Sequence, residues 1–285
     1  MTDDRDRPIF LGGIAGTGKT RLGSLLGRHS RIVVTRKTYL WRDVYALHGD
    51  LADPGNLRRC IAATFAIPAI RAMDLDPVQV ATQMAERAPA YAQLFDVIHG
   101  LHAHSVGKAR WCDQLGLVEA YAGPIFAAFP NARFIHMVGD PRRTQPSTRT
   151  PGVAGWAVGK WLTSMDLAER NADRYGARYL VVRHEDLDVA EEATLSDVCR
   201  FLGEEVESPM LVPPAPPPRP APLGNVRFIE AAAGGAMADR GYAATRTGVL
   251  SWRSDLVEWP ANRLALTAWK RIGTRAIAKQ IGADA

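Results

Sequence analysis

A glycine-rich stretch near the start of the chain carries residues suited to binding phosphate. Residues 13–20 read Gly-Ile-Ala-Gly-Thr-Gly-Lys-Thr, which matches the pattern G-x-x-x-x-G-K-[ST]. Glycines let a backbone curl so that several N–H groups point into one concavity, and a helix that begins there adds the positive end of its dipole. Lys19 adds a full positive charge, and the Thr20 hydroxyl can contact a phosphate or a magnesium ion. The predicted phosphate contacts in this loop are Gly13, Gly16, Thr17, Gly18, Lys19 and Thr20.

Candidates for a general base follow the next two predicted strands. Lys37 and His48 lie in the polar and aromatic stretch 36–50, and Asp113 follows a short apolar run that begins at Ala109. Parallel strands end at the edge of the sheet where ligands bind, so these side chains are expected beside the mouth of the loop. A neutral Lys37, His48 or Asp113 could each accept a proton there. The sequence leaves the choice among the three open.

Alternating strands and helices must position these residues. Apolar and β-branched runs predict strands at 9–11, 31–35, 109–112, 132–138 and 179–182. Apolar residues at helical spacing predict a helix that begins near Lys19 and further helices within 56–104, 118–129, 156–175, 192–202 and 261–280. This alternation predicts an α/β fold built on a doubly wound parallel sheet.

Composition and charge narrow the class of protein. The chain has 285 residues and a formal net charge of +5, which suits one α/β domain over 1–285 that binds a phosphate-rich small ligand. The positive charge is too diffuse to predict nucleic-acid binding. No apolar run is long enough to span a membrane, and the acidic N-terminus is unlike a signal peptide. We therefore expect a cytoplasmic protein without a membrane partner, and the sequence indicates no particular oligomeric state.

A proline-rich stretch interrupts the pattern late in the chain. Prolines crowd residues 207–224, and such a composition predicts a stiff, extended segment on the surface. We interpret this segment as a strap or flap within the same domain, with a ligand for a proline-binding partner as the alternative.

The order of motifs resembles that of the sulfotransferases, which transfer a sulfuryl group from 3′-phosphoadenosine 5′-phosphosulfate (PAPS). Residues 8–13, Pro-Ile-Phe-Leu-Gly-Gly, resemble the first strand of that family, and the loop aligns with its R-S-G-T-T sequence without a gap. Residues 131–142 resemble its strand and turn P-x-A-R-F-I-H-x-V-R-D-P-R, and residues 181–187 resemble V-R-Y-E-D-L. Trp252-Arg253 resembles the late W-R or W-K of the family. The resemblance covers nearly the whole chain.

The resemblance implies a P-loop nucleotide-binding fold with helical insertions. It also implies PAPS as the donor and a hydroxyl or amine of a small molecule as the acceptor. The 5′-phosphosulfate would lie on the loop, with Lys19 stabilising charge on the bridging oxygen. Ser147 falls where the family has a serine that binds the 3′-phosphate, and Arg246 is its implied partner. Arg142 and Trp252 complete the donor contacts that the resemblance implies.

The sequence departs from the family pattern at several functional positions. Gly16 replaces an arginine or lysine of the loop, and Lys19 replaces a threonine. Lys37 stands where many bacterial members place a glutamate as general base, and residues 114–116, Gln-Leu-Gly, replace a frequent Lys-Thr-Pro. Gly139 replaces the arginine that grips the 3′-phosphate.

The loss of that arginine affects the predicted choice of donor. A lost charged hydrogen bond costs about 1.5–3 kcal/mol. Unless Arg246 or Arg142 replaces the contact, preference for a 3′-phosphorylated donor is lost.

Two other functions remain open at this point. In a kinase on the same scaffold, Mg-ATP would be the donor, and Lys19 would bridge the β- and γ-phosphates. Thr20 would then bind magnesium, and Arg142 and Arg143 would close over the phosphates. In a non-catalytic nucleotide-binding protein, the missing base and the missing arginine would need no replacement.

Overall fold

A parallel β-sheet forms the centre of the fold. The computed structural model describes residues 7–143, 152–211, 223–243, 245 and 258–273. Within these residues the sheet contains the strands β1 (Ile9–Gly12), β2 (Ile32–Arg36), β3 (Arg110–Gln114), β4 (Arg133–Val138) and β5 (Tyr179–Arg183). Their order is β2-β3-β1-β4-β5, and every neighbouring pair is parallel. The predicted α/β class with a parallel sheet is confirmed. The strand order switches direction at β1, which places a ligand crevice at its carboxyl end.

Helices connect the strands and cover both faces of the sheet. They are α1 (Lys19–Leu26), α2 (Pro54–Ala66), α3 (Pro68–Arg71), α4 (Pro77–Ala85), α5 (Tyr91–Ser105), α6 (Ala122–Ala128), α7 (Val153–Tyr175), α8 (His184–Val189), α9 (Glu191–Leu202), α10 (Leu223–Ala238) and α11 (Trp259–Ala268). Sequence explains several of their ends. The Asp53 carboxylate accepts the Asn56 N–H at the start of α2, where Pro54 is the first helical residue. Gly203 ends α9 with a left-handed φ of 72°.

The strand β1 supplies apolar side chains to both sides of the sheet. Phe10 packs among residues of α2 to α6, whereas Ile9 and Leu11 pack on α1 and α9. This alternation follows from the two-residue period of a strand. A third apolar cluster joins α7 and α10 through Trp161, Phe228 and Ile229. The phosphate loop is therefore attached to a strand whose side chains are packed on both faces.

Some predicted elements differ from the observed ones. The stretch 118–129, predicted as one helix, begins as a 3₁₀ turn at Val118–Tyr121 and continues as α6. Leu117, with a positive φ of 63°, sets the start of that turn. The helix α10 was not predicted, and its apolar residues are interrupted by two adjacent glycines, Gly234 and Gly235. The predicted last helix, 261–280, is observed as α11 followed by a π-helical turn at Trp269–Gly273. Residues beyond 273 lie outside the described part.

The proline-rich stretch 207–224 is described only at its two ends. A 3₁₀ turn at Ser208–Met210 buries the Met210 side chain, and α10 begins at Leu223. Residues 212–222 lie outside the described part, so their role as a surface strap stays a prediction, as does the single domain over 1–285.

In the part of the chain that the structure describes, no helix is both long and apolar enough to cross a membrane.

The contact between α7 and the π-helical turn that follows α11 depends on glycine. A Cβ on Gly159 would lie 2.5 Å from Cδ1 of Trp269, whose Nε1 donates to the Thr163 hydroxyl at 3.0 Å. Gly159→Ala is therefore expected to lower the free energy of unfolding by about 1–3 kcal/mol, because the indole must shift. Urea denaturation measures this change.

Gly100→Ala is the matched control for this substitution. Gly100 lies within α5, and a Cβ there would meet no atom within 4 Å. Alanine should raise the stability at this position by up to about 1 kcal/mol through helix propensity. If Gly159→Ala were as stable as the wild type, the close approach of Trp269 to α7 would be wrong.

Candidate active site

The loop between β1 and α1 has the backbone geometry that its glycines predict. Gly13, Gly16 and Gly18 have φ values of 111°, 84° and 79°, in the left-handed region that favours glycine. A Cβ on Gly13 would also lie 2.3 Å from the carbonyl oxygen of Met137. The Thr17 hydroxyl donates to the Ile14 carbonyl at 2.8 Å and holds the curl of the loop closed. The loop thus leads directly into the N-terminus of α1, where N–H groups have no partner within the helix.

Lys19 begins α1 and is half-buried beside the chain that follows β3. A Cβ on Gly116 would lie 3.9 Å from the Lys19 Nζ, so the glycine leaves room for the ammonium group. Burial lowers the pKa of Lys19, and attraction to the Glu119 carboxylate partly offsets that shift. A cation that lies partly out of water, at the N-terminus of a helix, favours the binding of an anion.

Glu119 is a buried carboxylate at the base of the loop that sequence reasoning missed. Its Oε2 accepts the Gly13 N–H at 3.0 Å, and its Oε1 accepts the Ser164 hydroxyl at 2.9 Å. The His136 Nε2 lies 3.3 Å from the same Oε1. Burial raises the pKa of Glu119, but charge and hydrogen bonding from His136 and the Gly13 N–H outweigh it, and the pKa lies below its usual value. The carboxylate is therefore ionised and acts as an acceptor.

Two further side chains, Tyr179 and Asn171, extend this buried network away from the loop. The His136 Nδ1 lies 2.7 Å from the Tyr179 hydroxyl, and its Nε2 lies 2.8 Å from the Ser164 Oγ. The Asn171 Nδ2 donates to the Glu119 carbonyl oxygen at 2.9 Å and lies 3.3 Å from the Tyr179 hydroxyl. The network therefore joins the loop to β4, β5 and α7.

Asp113, one of the three candidate bases, lies inside the fold rather than at its surface. Its exposure is 0%, and its Oδ1 accepts the Thr38 hydroxyl at 2.8 Å. Its Oδ2 lies 4.0 Å from the His99 Nε2, and neither atom has a hydrogen-bond partner in the described part of the chain. Burial raises the pKa of Asp113 to about 7 and lowers the pKa of His99 to about 3. A side chain this deeply buried does not reach an acceptor, so the expectation that Asp113 faces the mouth of the loop is wrong.

The other two candidate bases lie on the segment that follows β2. Lys37 is exposed and has a positive φ of 57°. His48 is half-buried, and its backbone N–H donates to the Tyr91 hydroxyl at 2.7 Å. Neither side chain forms a hydrogen bond or an ion pair with Lys19 within the described ranges.

The Arg142 guanidinium is held by two carboxylates and a carbonyl oxygen. The Nε donates to Asp140, and the Nη1 donates to Glu230 and to the Ala243 carbonyl, at 2.8–3.0 Å. The Nη2 donates to Asp140 as well. Every nitrogen of the group is thus engaged by acceptors of the protein, and the donor contact that the resemblance assigns to Arg142 stays a prediction.

A histidine that sequence reasoning missed lies directly on the loop. A Cβ on Gly18 would be 2.4 Å from Cδ2 of His184, which shows how closely the imidazole covers this residue. The His184 Nε2 lies 3.5 Å from Asp188, which also accepts from Arg21 and Arg143 at 2.7 Å. Burial, followed by the charge of Arg143, lowers the pKa of His184. The available signal was its place directly after β5, at the edge of the sheet where ligands bind.

Three residues that the resemblance assigned to the donor, Ser147, Arg246 and Trp252, lie outside the described residues.

Comparisons with known proteins address the family of the chain. A sequence model described as the sulfotransferase family matches residues 8–208, from β1 to the turn after α9. No match was found among curated proteins. The sulfotransferase domain of the Synechococcus PCC 7002 olefin synthase is 18% identical with a TM-score of 0.52, over 92% of this chain and 94% of that domain.

Two further solved structures align over a similar share of the chain, with lower sequence identity and lower TM-scores. The sulfotransferase domain from the curacin biosynthetic pathway is 15% identical, with a TM-score of 0.49, over 87% of this chain and 95% of that one. A sulfotransferase from Alicyclobacillus acidocaldarius is 14% identical, with a TM-score of 0.46, over 81% and 93% of the two chains. At these identities a structural likeness concerns the fold alone. Because the family model covers well over half of the sequence and includes the loop, Lys19 and Glu119, the chain belongs to the sulfotransferase family and is a sulfotransferase enzyme.

Proposed function

We propose that this sulfotransferase moves a sulfuryl group from PAPS to a hydroxyl or amine of a small molecule. The residues fit the phosphate end of such a donor, because the glycines of the loop keep its concavity free of side chains and Lys19 supplies a cation there. PAPS, when bound, supplies an activated sulfuryl group joined to its 5′-phosphate. Lys19 would hold the charge that develops at the bridging oxygen.

The observation that favours this donor over Mg-ATP is the identity of the residue beside Thr20. The Gln114 Nε2 lies 3.5 Å from the Thr20 hydroxyl, and an amide is a weaker ligand for magnesium than a carboxylate. Asp113, one residue earlier, points to the other face of the sheet. A kinase needs a carboxylate near that threonine to hold the metal that neutralises the transferred phosphoryl group. A sulfuryl group carries one negative charge less than a phosphoryl group, so its transfer depends less on neutralisation by a metal ion.

The base and the 3′-phosphate contacts remain part of the proposal. With Asp113 buried and Arg142 engaged by Asp140 and Glu230, we assign proton removal to His48 or Lys37 and the 3′-phosphate contact to Ser147 and Arg246. Gly139 offers no side chain for that contact, and a neutral hydroxyl is worth about 0.5–1.5 kcal/mol net. Discrimination for the 3′-phosphate is therefore expected to depend on Arg246.

Calorimetry with two nucleotides tests the proposed donor. We expect the wild type to bind adenosine 3′,5′-bisphosphate, the desulfated product, more tightly than Mg-ATP. Arg246→Ala should lower the affinity for the bisphosphate by about tenfold or more, which corresponds to about 1.4 kcal/mol of binding free energy. It should leave the affinity for ATP nearly unchanged.

The same titrations identify the kinase alternative. Tight binding of Mg-ATP alone, with a magnesium dependence that disappears in Thr20→Ala, would overturn the proposal in favour of a kinase. A structure with bound bisphosphate that placed Arg246 far from Ser147 and from the loop would remove the assigned 3′-phosphate contact.

A further inference from the structure

Glu119 stands out because it is a fully buried charged group at the phosphate loop that the proposed transfer does not use. Its exposure is 0%, and it lies 106 residues from the loop glycine that it contacts. The approach is close, since a Cβ on Gly12 would lie 2.6 Å from the Glu119 Oε2. A carboxylate with this burial cannot take a proton from an acceptor in solution, so its role must act through its neighbours.

The contact with Gly13 fixes the first residue of the loop. Gly13 has a φ of 111°, and its N–H is directed at the carboxylate rather than at a strand partner. Without Glu119, this donor would be buried and unpaired, a state that costs free energy and favours another loop conformation. An anion-binding loop needs its N–H groups aimed before the ligand arrives, because ordering them later reduces the affinity.

The rest of the network fixes the carboxylate itself. The single hydrogen of the Ser164 hydroxyl goes to Glu119, so the His136 Nε2 must carry a hydrogen to approach Ser164 at 2.8 Å. Asn171 holds the backbone of Glu119 from α7. Ser164 and His136 therefore hold the carboxylate, while Asn171 holds the main chain of the same residue, and all three side chains are buried.

We propose that Glu119 is a positioning residue, which aims the phosphate loop through its bond to the Gly13 N–H. The inference rests on the proposed function only in taking the loop to be the donor site. Inorganic pyrophosphate is the probe, because it requires the loop but neither the adenine nor the 3′-phosphate site. The result therefore does not depend on which nucleotide is the donor.

Three variants separate positioning from general stability. Glu119→Met keeps an unbranched side chain of similar length and removes both acceptor oxygens, so we expect pyrophosphate affinity by calorimetry to fall about tenfold or more. Glu119→Gln keeps an oxygen that can accept the Gly13 N–H, so its affinity for pyrophosphate should lie within about threefold of the wild-type value. Ser164→Ala damages the same buried network but spares the contact with Gly13, so it should lower Tm without weakening pyrophosphate.

The outcomes are distinct. If Glu119→Met and Ser164→Ala both lowered Tm while pyrophosphate affinity stayed at the wild-type value, Glu119 would be a structural residue only and the inference would fail. A Glu119→Gln protein as weak as Glu119→Met would also overturn it. If the wild-type protein bound pyrophosphate but not adenosine 3′,5′-bisphosphate, the proposed donor would be wrong, and the inference about Glu119 would be unaffected.

A measurement on the wild type covers the case in which Glu119→Met does not fold. Hydrogen exchange of the Gly13 amide, followed by NMR in the ligand-free protein, should be slow because a buried carboxylate accepts this hydrogen. Fast exchange at Gly13, with slow exchange in the neighbouring strand β1, would show that the loop is not held and would overturn the inference.

Discussion

Lys19→Ala is expected to abolish turnover and to weaken donor binding by at least about tenfold, while the fold remains intact. Lys19 is the only fully charged side chain among residues 13–20, and it stands on a frame of glycines. Loss of a charged hydrogen bond to phosphate costs about 1.5–3 kcal/mol, which is enough for this change in affinity. The fold should tolerate the substitution because burial lowers the pKa of Lys19, which shows that the ammonium is partly desolvated at a cost.

The measurement pairs activity and calorimetry with thermal unfolding. Lys160→Ala is the matched control, because Lys160 is exposed on α7 and its ammonium lies over the Trp269 ring, 5.6 Å from its centroid. It removes the same charge away from the loop and should leave donor binding unchanged. Wild-type turnover and wild-type donor affinity in Lys19→Ala would show that the loop is not the donor site.

The parts of the fold that sequence predicted are those in which the signal is local. The strand β1, the loop and the start of α1 follow each other within 19 residues, Pro8 to Leu26, and each is specified by its own residues. The stretch 56–104 breaks at prolines where α3 and α4 begin, because proline is favoured in the first turn of a helix. Local chemistry decides such boundaries without help from the rest of the chain.

The parts of the site that sequence missed depend on contacts between distant segments. Glu119 belongs to no motif. Its partner Gly13 is 106 residues earlier in the sequence, and the strands β2 and β3 lie between them. Arg142 has the position of a phosphate-binding arginine, but Glu230, which is 88 residues away, occupies its guanidinium. Neither pairing leaves a trace in the spacing of residues, since the fold alone brings the partners together.

The wrong prediction for Asp113 comes from a small error in where β3 ends. The strand β3 was predicted to end before Asp113, but it continues through Gln114. Asp113 therefore keeps the alternation of the strand and points toward Thr38 and His99, while Gln114 takes the face beside Thr20. The alternation of β3 therefore directs the Asp113 carboxylate into the core, and its place near the end of the strand does not.

Asp113→Asn is expected to raise the free energy of unfolding by up to about 4 kcal/mol above pH 7. The pKa of Asp113 is about 7 in the folded protein because of burial, against about 3.9 in an unfolded chain. Between these values the folded state keeps a proton that the unfolded state has released, so the wild type loses stability as the pH rises through this window. A difference of about three pH units corresponds to about 4 kcal/mol. Asparagine does not titrate and avoids this loss.

The neighbours of Asp113 explain why an amide should fit. The Thr35 hydroxyl donates to the Cys112 carbonyl and so can only accept from the His99 Nδ1, which leaves the His99 Nε2 as a bare acceptor. An ionised Asp113 would face it with a second bare acceptor at 4.0 Å. The amide of asparagine presents N–H to that nitrogen and keeps its oxygen for the Thr38 hydroxyl, as the protonated acid does.

Urea denaturation of both proteins across pH checks this expectation. The stabilisation should be small at about pH 4.5, grow toward pH 7 and remain constant at about pH 8.5. Asp188→Asn is the control of opposite sign. Burial raises the pKa of Asp188, but the hydrogen bond and charge of Arg143 outweigh burial and the pKa is lowered, so that variant should be less stable than the wild type at about pH 8.5.

The same variant decides whether Asp113 takes part in the reaction. Because its side chain has no exposed atom and is bonded to Thr38 within the core, Asp113→Asn should keep the turnover of the wild type at every pH at which both proteins are folded. His48 and Lys37 lie on the segment after β2. We expect either His48→Ala or Lys37→Ala to lose turnover. A folded Asp113→Asn protein without turnover would return Asp113 to the reaction. Stabilisation that is equal at about pH 4.5 and 8.5 would show that the carboxyl does not titrate near 7.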